Sequence, residues 1–130
     1  MASDLSHGEI DVLIDGLSDD VAFIWVLIHL GLRENPPREP RPPSRSEVDA
    51  AFSSLDRLRR TGLVKVGRME YVDGGPPGRV APLKHVEEPI GTVKRRVLTA
   101  CGSGSDWEWS CWTMNTPSGD AAARSALDSR

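Results

Sequence analysis

Apolar positions along the chain fall first into helical spacing. Ile10, Leu13, Ile14 and Leu17 recur at i, i+3, i+4 and i+7, one face of a short helix. Ser6 and Glu9 ahead of them fit a capping box, in which each side chain satisfies a free backbone N–H of the other. Gly16 predicts the stop. The run from Val21 to Leu30 is apolar almost all round, which predicts a central core helix. Ser18-Asp19-Asp20 is its expected N-cap, and Gly31 closes it. His29 within that run is expected to hold a local hydrogen-bond partner.

Residues 33–45 contain five prolines, which exclude helix and central strand and leave an extended surface connection. Pro40 to Arg45 also matches a PxxPx+ pattern, although a semi-rigid linker is the stronger expectation. Ser46-Glu47-Val48-Asp49 then opens a helix with a cap and early acids. Val48, Ala51, Phe52, Leu55 and Leu58 form its apolar stripe, and Arg57, Arg59 and Arg60 sit in its last turns. Gly62 is the expected left-handed residue past its end, before a strand from Leu63 towards Tyr71-Val72.

Beyond the glycine- and proline-rich turn at 73–78, Arg79-Val80-Ala81 offers a short return strand. Val86, Ile90, Val93 and Val97 predict a helix over about 87–100. Residues 106–114 alternate and predict a strand. Trp107, Trp109 and Cys111 would share one face of it, and Trp112 and Met114 the other. Trp107 and Trp109 are assigned to the core, with Trp112 left open between core and an aromatic platform. Thr116-Pro117 caps a last helix to about Leu127, and 128–130 form a frayed tail. The whole is one α+β domain over 1–130, helices packed on a small antiparallel sheet.

The stretch Ala51-Phe52-Ser53-Ser54-Leu55-Asp56-Arg57-Leu58-Arg59-Arg60-Thr61-Gly62-Leu63-Val64 resembles the recognition-helix-to-wing passage of winged helix-turn-helix proteins. The resemblance covers roughly residues 19–72 and, more loosely, the later strand. It implies a DNA-binding transcriptional regulator whose helix enters the major groove while a wing touches backbone. By that analogy Arg45, Ser46, Asp49 and Ser53 face bases, and Arg57, Arg60, Lys65, Arg68 and Arg79 meet phosphates. The chain departs from the family in two ways. The proline-rich 33–45 segment replaces the usual short helix and tight turn, and Glu47, Asp49 and Asp56 bring carboxylates towards the phosphates. The 87–100 helix would be an extra element between the wing strands.

Charge distribution raises a competing expectation. The net charge is −3, but residues 1–34 carry seven acids and one base, a sum of −6. Residues 38–68 carry eight bases and four acids, a sum of +4. The basic segment suits DNA. The acidic third, with Asp11, Asp15, Asp19 and Asp20, suits a protein-binding module of the immunity, antitoxin or adaptor kind.

A mean hydropathy of −0.34 and the shortness of the longest apolar run exclude a membrane span. The acidic N-terminus does not resemble a secretory signal, so a cytoplasmic location is expected. Cys101 and Cys111 are not at metal-ligand spacing, and no metal site or cofactor is expected. His7, His29 and His85 stand apart from any nucleophile or carboxylate in a recognised arrangement, so no catalytic residue is assigned. Residues 6–17 or 117–127 are the expected surfaces for a homodimer.

Overall fold

In a computed structural model, residues 4–35, 41–72 and 83–130 are described. Helix α1 (His7–Asp15) begins at the expected capping box, with the Glu9 N–H donating to Ser6 Oγ at 3.1 Å and the Ser6 N–H to Glu9 Oε1 at 2.9 Å. Where one continuous core helix was expected, the chain makes a two-residue strand, β1 (Val21–Ala22), and then α2 (Phe23–His29). Ser18-Asp19-Asp20 therefore caps nothing; the N-cap is Ala22, which makes no side-chain cap bond. The β-branched Val21 pairs with Thr113 in the sheet, a tertiary contact that overrides the apolar run. Gly31 closes the helix in a left-handed conformation (φ 76°).

Helix α3 (Arg45–Arg60) starts two residues earlier than the sequence predicted. Ser44, not Ser46, is the cap: its Oγ accepts from the Glu47 N–H, and Glu47 accepts from the Ser44 N–H. The expected stripe is buried throughout. Gly62 (φ 78°) turns the chain into β2 (Val64–Tyr71) as predicted.

The return strand is β3 (Leu83–Glu87); the expected return strand at 79–81 and the turn at 73–78 lie outside the described residues. Val86 thus belongs to a strand and not to the helix stripe. Helix α4 (Ile90–Ser103) begins after Pro89, three residues later than predicted, and ends at the left-handed Gly104. The alternating 106–114 segment is not a continuous strand. Asp106 turns left-handed (φ 55°), a 3-10 turn covers Trp107–Trp109, and only β4 (Trp112–Asn115) pairs. As a result Trp107 is buried but Trp109 is 53% exposed, so the core assignment fails for Trp109. Helix α5 (Pro117–Asp128) is capped by Thr116 as expected.

The strands form one antiparallel sheet in the order β1-β4-β2-β3. Chain α4 therefore lies in sequence between β2 and β4, which are neighbours in the sheet, with β3 added outside β2. Val21, Val66 and Thr113 share the core face, and Phe23, Leu27, Leu55, Leu58, Val93 and Val97 close over it, all fully buried. On the opposite face the His85 ring reaches from β3 to the Trp112 carbonyl (2.9 Å), across the intervening β2. Gly67 lies on that strand, where an added Cβ would collide with the Val86 carbonyl.

A buried ion pair ties the first helix to the third. Glu9 is completely buried, and its Oε2 accepts from Arg57 Nε (3.0 Å) and Nη2 (2.7 Å), tying α1 to α3. Burial pushes the Glu9 carboxyl up, but the Ser6 and Arg57 donors outweigh it and hold the group below its ordinary value. A carboxyl lowered on folding adds stability above its unfolded value near 4.5 and loses it as pH falls through the folded value. Glu9→Gln is expected to cost about 2 kcal/mol at neutral pH, moderated by the half-exposed guanidinium. That difference from wild type should close as pH falls below the ordinary carboxylate range, as measured by urea unfolding at stepped pH.

Candidate functional site

Four of the seven acids in residues 1–34 line one open cleft. Asp11, Ile14 and Asp15 come from α1, Asp19 and Asp20 from the following turn, and Trp25 and His29 from α2, around a volume of about 660 Å³. Asp11 and Asp15 reach the same rim because they stand one helical turn apart. His29 Nε2 lies 2.8 Å from Asp15 Oδ2, the local partner that its position predicted. Trp25 is 42% exposed, its ring 6.5 Å from that of His29.

Burial pushes the Asp20 carboxyl up, against the pull of His85, and Asp19 beside it adds to the rise. One cation of the chain already sits on this rim: Arg130 Nη2 donates to Asp11 Oδ1 at 2.9 Å. The cleft can therefore present carboxylates and an indole to a cation. Among the described residues it holds no group of three or more His, Cys, Asp or Glu arranged to grip a metal ion. Trp25 was not singled out from sequence, because every neighbour in its apolar run looks alike to a periodicity argument.

The residues expected to face DNA lie along α3 and β2, but most of their charge is spent within the molecule. Arg45 Nε lies 3.3 Å from Asp49, which also holds Lys94 at 2.8 Å. The Lys94 hydrogen bond, with Arg45 assisting, keeps the Asp49 carboxyl below its usual range. Ser46 Oγ contacts Ser44 Oγ at 3.2 Å. Ser53 is exposed and lines a cleft of about 250 Å³ between α3 and α4, beside Asp49, Asp56 and Lys94. Arg57 is bound to Glu9, and Arg60 lies 3.1 Å from Asp56. Arg68 pairs with Glu70 (2.7 Å) and Glu88 (3.1 Å). Lys65 is exposed, opposite Met114, and has no ion pair among the described residues. Arg79 lies outside the described residues.

Two of the acids that opposed phosphate contact in the sequence, Asp49 and Asp56, thus hold Arg45 and Arg60, while Arg57 and Arg68 are held by glutamates from elsewhere in the chain. Exposed pairs of this sort are individually weak. Arg57 is different, because releasing it would strand a buried carboxylate.

No protein family, curated protein or solved structure matches this chain. No helix among the described residues is long and apolar enough to cross a membrane. Both cysteines are free thiols; Cys111 is fully buried and pushed up to about 12 by that burial, so it is inert as a nucleophile at neutral pH.

Arg57→Ala should lower unfolding stability by about 2 kcal/mol, whereas Arg60→Ala and Lys65→Ala should stay within about 0.5 kcal/mol of wild type. Chemical denaturation of the three variants checks this ranking.

Proposed function

We propose that this chain is a non-catalytic protein-binding module whose acidic cleft receives a basic segment of a partner protein. The observation that carries the proposal is the convergence of Asp11, Asp15, Asp19 and Asp20 on one open cleft beside the exposed Trp25. A lysine or arginine entering there would meet carboxylates and an aromatic face together, a combination that binds cations better than either group alone. Arg130 on Asp11 illustrates the chemistry with a guanidinium from the chain itself. The fixed arginines of α3 and β2 add to the case, since a DNA reader needs cations free to displace counterions.

DNA binding through a winged-helix scaffold is the second proposal, and a specific observation favours it. A short strand after α1 pairs with β4, β4 pairs with β2, and α3 leads through Gly62 straight into β2. That order suits a helix carried on a small sheet with a hairpin beside it. Ser46, Ala50, Ser53, Arg57 and Arg60 are exposed along α3, so the helix has an open face.

One pair of titrations separates the two. Under the first proposal the protein binds an arginine- and lysine-rich peptide with a salt-dependent affinity, and Asp19→Lys with Asp20→Lys weakens it roughly tenfold or more. Mixed-sequence duplex DNA is then ignored even at low salt. Tight, salt-dependent DNA binding that is unchanged by the two aspartate substitutions and lost with Arg60→Ala and Lys65→Ala would reverse the order of the proposals.

A further inference from the structure

A second surface, separate from the acidic residues of the cleft, lies where α4 passes into β4. The left-handed residues Gly104 and Asp106 swing the chain outward, and the 3-10 turn that follows buries Trp107 while projecting Trp109. Trp109 stacks on Trp112 with ring centroids 5.9 Å apart and planes 25° from parallel. Trp112 Nε1 donates to the Trp109 carbonyl (3.1 Å), which locks the pair. Together with Met69, Ala100, Ser105 and Asp106 the two rings line an open groove of about 580 Å³.

The polar groups of this groove are unevenly used. Arg96 also lines it, but its Nε donates to the Ser110 carbonyl (2.9 Å) and its two terminal nitrogens to Glu88 (2.7 and 3.0 Å). Arg68, on the same wall, is held by Glu70 and Glu88. Neither guanidinium is left to attract an anion. By contrast, the Trp109 indole N–H donates to no group among the described residues, although its ring is half exposed. Asp106, exposed on the same groove, forms no ion pair among the described residues. The groove therefore offers a flat apolar wall, an unused N–H donor and unpaired negative charge.

We infer that this groove binds a proline-rich, arginine-bearing segment of a partner protein in the extended polyproline conformation. Such a segment supplies each complementary part. Its pyrrolidine rings lie flat on aromatic faces, and its backbone carbonyls have no internal hydrogen bonds, so one can accept from the Trp109 N–H. Its arginine answers Asp106. Because the conformation is preformed, little ordering cost opposes binding at so small a surface. Single-stranded nucleic acid also stacks on exposed tryptophans, but its phosphates would approach the unpaired Asp106 carboxylate and two arginines already held by glutamates. Charge therefore selects the peptide.

The test is a titration of the full chain with a synthetic Pro-Pro-Arg repeat peptide, monitored by the indole N–H resonances and by calorimetry. A Gly-Ser-Arg repeat of equal charge and oligothymidylate serve as comparison ligands. Expected are a shift of the Trp109 indole N–H on adding the proline peptide and roughly tenfold weaker binding for Trp109→Ala. Trp109→Phe, which keeps an aromatic face but removes the donor, should bind with intermediate strength. Asp106→Asn should weaken binding and reduce its salt dependence. Trp109 is exposed, so its variants should unfold at the wild-type denaturant concentration, which separates lost binding from lost folding. The inference is overturned if the Gly-Ser-Arg peptide binds equally well, if oligothymidylate is preferred, or if Trp109→Ala binds the proline peptide like wild type. Persistence of the binding when Asp19 and Asp20 carry lysine is expected, and its loss there would place the peptide in the acidic cleft instead.

Discussion

The structure depends on one carboxylate that has no access to water. Glu9 performs two tasks, closing the N-terminal turn of α1 onto Ser6 and receiving Arg57 from α3. A buried ion is expensive unless every lone pair is answered, and here both oxygens are engaged, Oε1 by the Ser6 N–H and Oε2 by the guanidinium. The consequence is that α1 is fixed against α3. With α1 placed, Asp11 and Asp15 are held at the cleft, and the Leu13 carbonyl accepts from Asn115 Nδ2 (2.8 Å) at the end of β4. Asn115 also reaches Asp120 on α5, while Thr116 Oγ1 donates to the Gly62 carbonyl (2.6 Å). A chain of polar contacts thus runs from the first helix to the last through the turn that ends α3.

That arrangement changes the meaning of the basic segment. In sequence, the arginines of residues 38–68 outnumber the acids and resemble a surface prepared for phosphate. In three dimensions Asp49, Asp56, Glu88 and Glu9 lie against them, several at hydrogen-bond distance. The acids of the first thirty-four residues, apart from Glu9, are placed differently. Asp15 faces a histidine, Asp11 a distant arginine, and Asp19 and Asp20 lie side by side, where burial, with a smaller push from Asp19, raises the Asp20 carboxyl. Clustered carboxylates of this kind are relieved by a cation brought from outside.

Much of the fold was legible because local rules and tertiary packing agreed. The Ser6–Glu9 capping box, the α3 stripe, the left-handed Gly31 and Gly62 and the Thr116 cap all appear where the sequence puts them. The misses occur where a long-range partner decided between equal local choices. Val21-Ala22 could continue a helix or pair with β4, and pairing won. The α3 cap is Ser44, two residues before the expected Ser46, because its hydroxyl and Glu47 close a reciprocal capping box. The alternation of 106–114 was real, but the left-handed Asp106 broke it before Trp107, separating the fates of Trp107 and Trp109. The acidic cleft was legible as charge and not as shape. Aspartates at 11, 15, 19 and 20 announce themselves in a sequence, whereas Trp25 becomes visible only when β1 ends one residue before α2 begins.

The most direct test of this account is to map where a basic ligand lands. Backbone and indole amide resonances of the isotopically labelled full chain would be followed during titration with an arginine- and lysine-rich peptide, with duplex DNA in parallel. The account predicts that the peptide shifts residues 11–29, including the Trp25 indole N–H, while the amides of α3 from Ser46 to Arg60 stay in place and DNA shifts nothing. Peptide-silent spectra together with DNA-induced shifts confined to α3 and β2 would contradict it.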